Sequence, residues 1–132
     1  MTITISTEHR DARLIGTRDF LDAGTGNAKI QIYDNSGARP GNGLPTTCVL
    51  LTEIELDKPC GTVSGGLLTL TSSDTPLVQA TGDALWARVV TANNTHAFDC
   101  DVSDPSGTGE IQLPNVTLYA GGTTVLVSGT LG

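Results

Sequence analysis

Asp83-Ala-Leu-Trp-Ala-Arg-Val-Val-Thr91, then Ala92-Asn93-Asn94, then Thr95-His-Ala-Phe-Asp-Cys-Asp-Val102, is the stretch on which the fold turns. Two runs that alternate apolar and polar residues flank an Asn-Asn pair, and Asn tolerates the positive φ of a tight turn. The runs Asp83–Thr91 and Thr95–Val102 therefore read as a β-hairpin turning at Asn93-Asn94. In that register Leu85 faces Val102, Ala87 faces Cys100 and Val89 faces Phe98, forming one apolar face. On the other face Trp86 opposes Asp101, Arg88 opposes Asp99 and Val90 opposes Ala97. An exposed Arg88–Asp99 cross-strand pair contributes roughly 0.2–1 kcal/mol. A slip of one residue would turn the charges into the core, so the register should be firm.

Working outward, the same signature recurs. Ala28–Tyr33 alternates cleanly, and Thr46–Leu56 reads as the longest strand, with Cys48, Leu50, Thr52, Ile54 and Leu56 on one face and Glu53 and Glu55 on the other. Leu67–Thr71 follows a turn at Gly65-Gly66. Glu110–Leu113, Val116–Tyr119 and Thr124–Leu131 complete the set, with Gly121-Gly122 as a further turn. Asp34–Pro45 is a long Pro/Gly loop of the kind that often carries interactions. Only one helix is expected, over residues 8–22. Ser6 or Thr7 caps it, Glu8 sits in its first turn, Leu14 and Leu21 share a face, Ile15 and Phe20 flank that face, and Ala23-Gly24 stops it. Residues 1–6 alternate and read as an arm or short strand. The expected fold is mainly β: a single domain over 1–132, with 28–132 a two-sheet antiparallel sandwich of jelly-roll or Ig-like type after one short N-terminal helix. The pattern does not give the strand order.

Composition narrows the function. The 132 residues include 16 glycines but only 4% aromatics, and the net charge is −7. Residues 1–40 are balanced, whereas 41–132 set only Lys58 and Arg88 against nine acids. Such a surface repels phosphate, so neither nucleic acid nor an anionic membrane is an expected partner. No apolar run approaches the roughly 20 residues of a membrane helix, and no secretory leader opens the chain. Cys48, Cys60 and Cys100, odd in number and without metal-like spacing, read as reduced thiols made in a cytoplasm. Asn93-Asn94-Thr95 and Asn115-Val116-Thr117 match the glycosylation pattern, which is common by chance.

No residue is nominated as catalytic, as cofactor-binding or as a metal ligand, and the chain is not expected to be an enzyme. Asp99, Asp101, Asp104 and Glu110 have the composition of a calcium cluster. Asp99 and Asp101 alternate along the outer face of a strand without EF-hand spacing, and so read as a solvated face. His9 and His96 are the only histidines, and His96 is expected to be exposed beside the turn. Cys100 has core parity, where a thiol is usually inert. Gly24-Thr-Gly26-Asn-Ala-Lys29 resembles a phosphate loop but leads into a strand, which reads as a helix-to-strand turn. Trp86, the one tryptophan, either anchors an interface or is covered by the helix or by another strand of its own chain. Arg10, Arg13 and Arg18 either meet an acidic partner or are solvated.

Taken in order, Arg13-Leu14 to Asp22-Ala23-Gly24, Ala28–Tyr33, Cys48–Pro59, Asp83–Val89 around Trp86-Ala-Arg88-Val89, and Ala120-Gly121-Gly122 with the final strand resemble a family of small tailed-bacteriophage virion proteins. The chain departs from that family in the Asp34–Pro45 loop and in its cysteines. The resemblance implies a β-sandwich that decorates or cements a capsid, located in the virion and assembled in the bacterial host cytoplasm. It implies binding to the major capsid protein or other virion proteins, as a homo-oligomer, and supplies no catalytic residues. Two rivals stand beside this reading. One is a collar, tail or fibre component of the same particle. The other is a carbohydrate-binding module, which the shortage of aromatics disfavours.

Overall fold

A computed structural model describes residues 3–37, 39–40 and 45–132. One helix, α1 (Thr7–Leu21), precedes ten strands: β1 (Lys29–Tyr33), β2 (Leu50–Glu55), β3 (Gly61–Ser64), β4 (Leu67–Leu70), β5 (Gly82–Asp83), β6 (Trp86–Val90), β7 (His96–Ser103), β8 (Ile111–Gln112), β9 (Thr117–Leu118) and β10 (Ser128–Leu131). The protein is thus mainly β with one short helix. Eight strands form one curled ladder, β2-β1-β6-β7-β8-β10-β4-β3, and β5 pairs with β9 in a small second sheet. The ladder is mixed rather than antiparallel throughout, because β7 and β8 run parallel, with Val102 opposite Ile111. The curl brings Ile30 and Ile54 of one half into the same core as Leu68 and Ile111 of the other.

The hairpin has the expected register over four pairs, Trp86 with Asp101, Ala87 with Cys100, Arg88 with Asp99 and Val89 with Phe98. Its tip differs. Thr91 and Thr95 close the loop (Thr91 N–H to Thr95 O, 2.9 Å), so Ala92 joins Asn93 and Asn94 in a three-residue turn. Only Asn94 takes positive φ, at 63°. The extra loop residue shifts the register between Val89 and Val90, and Val90 opposes His96 instead of Ala97. Leu85 keeps its bond with Val102 (Val102 N–H to Leu85 O, 3.0 Å). It lies just outside β6 at the end of the sheet and is 49% exposed rather than packed in the core.

The expected strand Thr46–Leu56 is shortened to β2. Before Leu50, side chains take the backbone donors that a ladder would need: Thr46 Oγ1 accepts the Cys48 N–H (3.0 Å), and Asp34 Oδ1 accepts the Val49 N–H (2.9 Å). Three of the C-terminal strands are likewise cut back, to β8, β9 and β10. β3, which the sequence pattern did not reveal, pairs with β4 across Gly65-Gly66, both at positive φ (61° and 81°). Two consecutive left-handed residues suit the twist of a two-residue hairpin, and glycine adopts them without steric cost. Residues 3–6 form no strand. Residues 1–2, together with Ala38 and 41–44 of the expected loop, lie outside the described residues.

Ser6 caps α1, its hydroxyl accepting the His9 N–H at 3.1 Å. The helix ends one residue earlier than expected, with Asp22 as the C-cap. Two of its acids fasten it to the β3–β4 hairpin: Asp11 Oδ1 accepts the Gly66 N–H (2.7 Å), and Asp22 Oδ1 accepts the Cys60 N–H (3.0 Å). Leu21 is fully buried and Leu14 partly so, while Ile15 and Phe20 are exposed, as their flanking positions require.

Candidate functional site

On the outer face of the ladder, strand parity aligns one polar side chain from each of four neighbouring strands. Glu53 opposes Gln31, Gln31 opposes Arg88, and Arg88 opposes Asp99. Gln31 Nε2 donates to Glu53 Oε2 (3.0 Å), and Arg88 Nε donates to Asp99 Oδ1 (3.1 Å). Both side chains of the Arg88–Asp99 pair are 10% exposed, so the pair is largely withdrawn from water. His96, expected to be exposed, joins it, with Nε2 3.1 Å from Asp99 Oδ1. The shifted register at the hairpin tip starts β7 at His96 and sets its ring against Asp99.

Trp86 belongs to this outer face and is nevertheless fully buried. Its own chain covers it, through residues other than the helix. The Tyr33 ring stacks on it at 4.6 Å, Arg88 lies 5.4 Å from the ring centre, and Arg39 of the Pro/Gly loop lies 5.8 Å away. Arg39 also pairs with Asp101, which holds that part of the loop over the sheet. Burial pushes the Tyr33 phenol up. The buried indole N–H has no hydrogen-bond partner that meets normal geometry. It lies against Cys48. Burial raises the Cys48 thiol, but polar contacts from Thr46, the Trp86 indole and the Gly37 amide outweigh it and leave the thiol lowered. Cys60 and Cys100 are buried and free, each raised to about 12, first by burial and then by the nearby carboxylates of Asp22 and Glu110 respectively.

The four acids with the composition of a calcium cluster are dispersed. Asp99 serves Arg88 and His96, and Asp101 serves Arg39. Asp104 accepts from its own turn, chiefly from the Ser106 hydroxyl, which holds its carboxyl below the usual range. Glu110 Oε1 accepts the Asp101 N–H at 3.0 Å. Among the described residues no three His, Cys, Asp or Glu side chains converge on a point. The Gly24–Lys29 turn has the wrong polarity for phosphate. Its Gly24 and Gly26 carbonyls point at the Lys58 ammonium (2.6 and 3.1 Å), while Lys29 sits beside Glu53 and Asn94.

An apolar concavity runs between α1 and the start of β7. It is an open groove of 620 Å³ lined by Leu14, Phe20, Ala97, Phe98 and Leu131, with Arg13 at its rim. Phe98 and Leu131 also line an adjoining hollow of 790 Å³ flanked by Arg10 and Glu110. Among the described residues neither Arg10 nor Arg13 is paired with a carboxylate, whereas Arg18 leans on Asp19 at 3.7 Å. The groove unites two features the sequence suggested separately, the arginine-bearing helix and the flanking Phe20. It adds Phe98, which core parity alone would have buried completely. Comparisons with protein-family models, with curated proteins and with solved structures return no match to this chain.

Proposed function

We propose that this chain is a structural virion protein, a capsid decoration or cement protein that binds the major capsid protein. The observation that carries the reading is the α1–β7 groove, an apolar trough edged by Arg13 and continued by a hollow flanked by Arg10, on a chain whose net charge is −7. The exposed Phe20 and the half-buried Leu14, Phe98 and Leu131, beside guanidinium groups without a carboxylate partner among the described residues, form a docking surface for a partner segment that is apolar and acidic. The remainder of the molecule suits a passive part. We read the curled ladder as a two-layer sandwich of jelly-roll or Ig-like kind, with β2-β1-β6-β7 packed on β8-β10-β4-β3. A sugar-binding role has little to work with, since Trp86 is sealed beneath Tyr33 and Arg39.

The test adds purified protein to capsids that lack it and images the shells by cryo-electron microscopy. Ordered density at fixed lattice positions is expected, with the groove facing the shell. The Arg10→Glu, Arg13→Glu double variant should fold normally and occupy the lattice far less. A bare shell after incubation overturns the proposal and favours a collar, tail or fibre position.

A further inference from the structure

From Ile111 to Gly132 the sequence contains no Asp, Glu, Lys, Arg or His, and neither does 75–82. The fold lays these two charge-free stretches side by side. Leu77 bridges Thr123, and Gly82 and Asp83 pair with Leu118 and Thr117. Between them, Val78 N–H donates to Gly122 O (2.8 Å) and Gly121 N–H to Val78 O (2.9 Å). The Leu77–Thr123 and Gly82–Leu118 pairs keep one register on either side of a turn at Tyr119–Gly122, where Gly122 N–H donates to Tyr119 O (2.9 Å). Gln79 N–H reaches Leu51 O (2.7 Å), so the ribbon also covers the free edge of β2.

Val78, Leu118 and Thr124 point inward and are buried. On the outer side Leu77 is 66% exposed and Tyr119 65%, with Val125 and Val127 beyond them. Next to Tyr119 lies a hollow of 140 Å³ floored by Val78 and Leu118. Small-molecule sites typically need roughly 300–1,000 Å³. This one has the scale of a single side chain.

We propose that this ribbon, uncharged but for Asp83 at its end, is a self-association surface, through which two copies of the chain meet. The charge distribution selects the occupant. Two copies carry −7 each and repel wherever their acids approach, as at Glu53, Glu55, Asp57 and Asp74 or at Asp99, Asp101, Asp104 and Glu110. From Leu77 to Gly82 and from Thr117 to Thr124 the ribbon carries no carboxylate, and only the exposed Asp83 at its end is charged, so like-charged copies meet there with little opposing charge. It also carries both halves of a contact, Leu77 and Tyr119 as projections and the 140 Å³ hollow as a receptor. The groove at α1 takes Leu131 from the charge-free tail but none of the paired residues 77–83 and 117–124, so a chain paired through the ribbon keeps the groove open. The inference goes beyond capsid decoration and is tested without capsids.

The experiment is sedimentation velocity on the full chain over a range of concentrations, beside Leu77→Asp, Tyr119→Asp and, as a control away from the ribbon, Ile15→Asp. The wild type is expected to sediment as a multiple of 13.6 kDa. Both ribbon variants should dissociate at least about tenfold more readily, with unchanged circular dichroism, while the control associates like the wild type. Added salt should strengthen association, because it screens the repulsion between the copies. A wild type that stays monomeric overturns the proposal, even if it then binds capsids. So does an oligomer that survives both ribbon substitutions, or one that only Ile15→Asp disrupts.

Discussion

At the scale of single residues, Arg88 and Asp99 show how context changes an interaction. In isolation the hairpin makes them an exposed cross-strand pair of small value. In the folded chain Trp86, Tyr33 and the returning loop crowd the same face, and each side chain is 10% exposed. Breaking a withdrawn pair leaves a charge without its counterpart and costs far more than losing a surface pair. Arg88→Ala should therefore lose on the order of 3 kcal/mol, read from urea unfolding at neutral pH. Arg88→Met combined with Asp99→Leu should recover most of that loss, since no buried charge remains. A single variant as stable as the wild type would show that the pair is solvated after all.

At the scale of elements, α1 is held by its ends more than by its middle. Leu21 is its one fully buried side chain, while Ser6, Asp11 and Asp22 tie the helix start, the hairpin turn and the entry to β3. A helix with so narrow an apolar stripe depends on its cap. Ser6→Ala should lower stability by about 1 kcal/mol, seen as a lower melting temperature. Ser6→Asp should restore it, because a carboxylate accepts the same N–H and favours the helix dipole. If alanine and aspartate melt alike, the cap bond contributes nothing.

The same scale shows where the sequence could be read and where it could not. The Trp86–Val89 register was legible because alternation and a turn signal fix it locally. The loss of strand at Thr46–Val49 was not, since it depends on Asp34, distant in sequence, accepting the Val49 N–H. Nor was β3, whose short run gains a partner only once β4 folds back over the glycine turn. The apolar residues of α1 were identified, but the groove beneath them needed Phe98 and Leu131, which only the tertiary fold brings to the helix.

At the scale of the whole molecule, the two most deeply placed thiols make stability depend on alkaline pH. Cys60 and Cys100 rise from the ordinary 9.0 to about 12, first through burial. Between those values the unfolded chain has released both protons and the native chain keeps them. Stability should thus be full below pH 9.0 and fall as pH rises toward 12, with a slope of up to about 1.4 kcal/mol per pH unit for each thiol. Urea midpoints measured across this range should decline more steeply for the wild type than for Cys60→Ala, Cys100→Ala. Parallel slopes would mean that both thiols titrate normally in the fold.

The sequence by itself determined the β-rich class, the position of the helix, the hairpin register from Trp86 to Val89, and the acid excess with its charge-free tail. These are properties of local periodicity, turn chemistry and composition, which neighbouring residues fix without help. The tertiary structure decided the single curled ladder with its parallel β7–β8 pair, the burial of Trp86, the polar row from Glu53 to Asp99, the α1–β7 groove and the pairing of two uncharged stretches into one face. Each of these joins segments far apart in the chain. Such contacts depend on which strands become neighbours, a choice made by the packing of the whole core rather than by any one stretch.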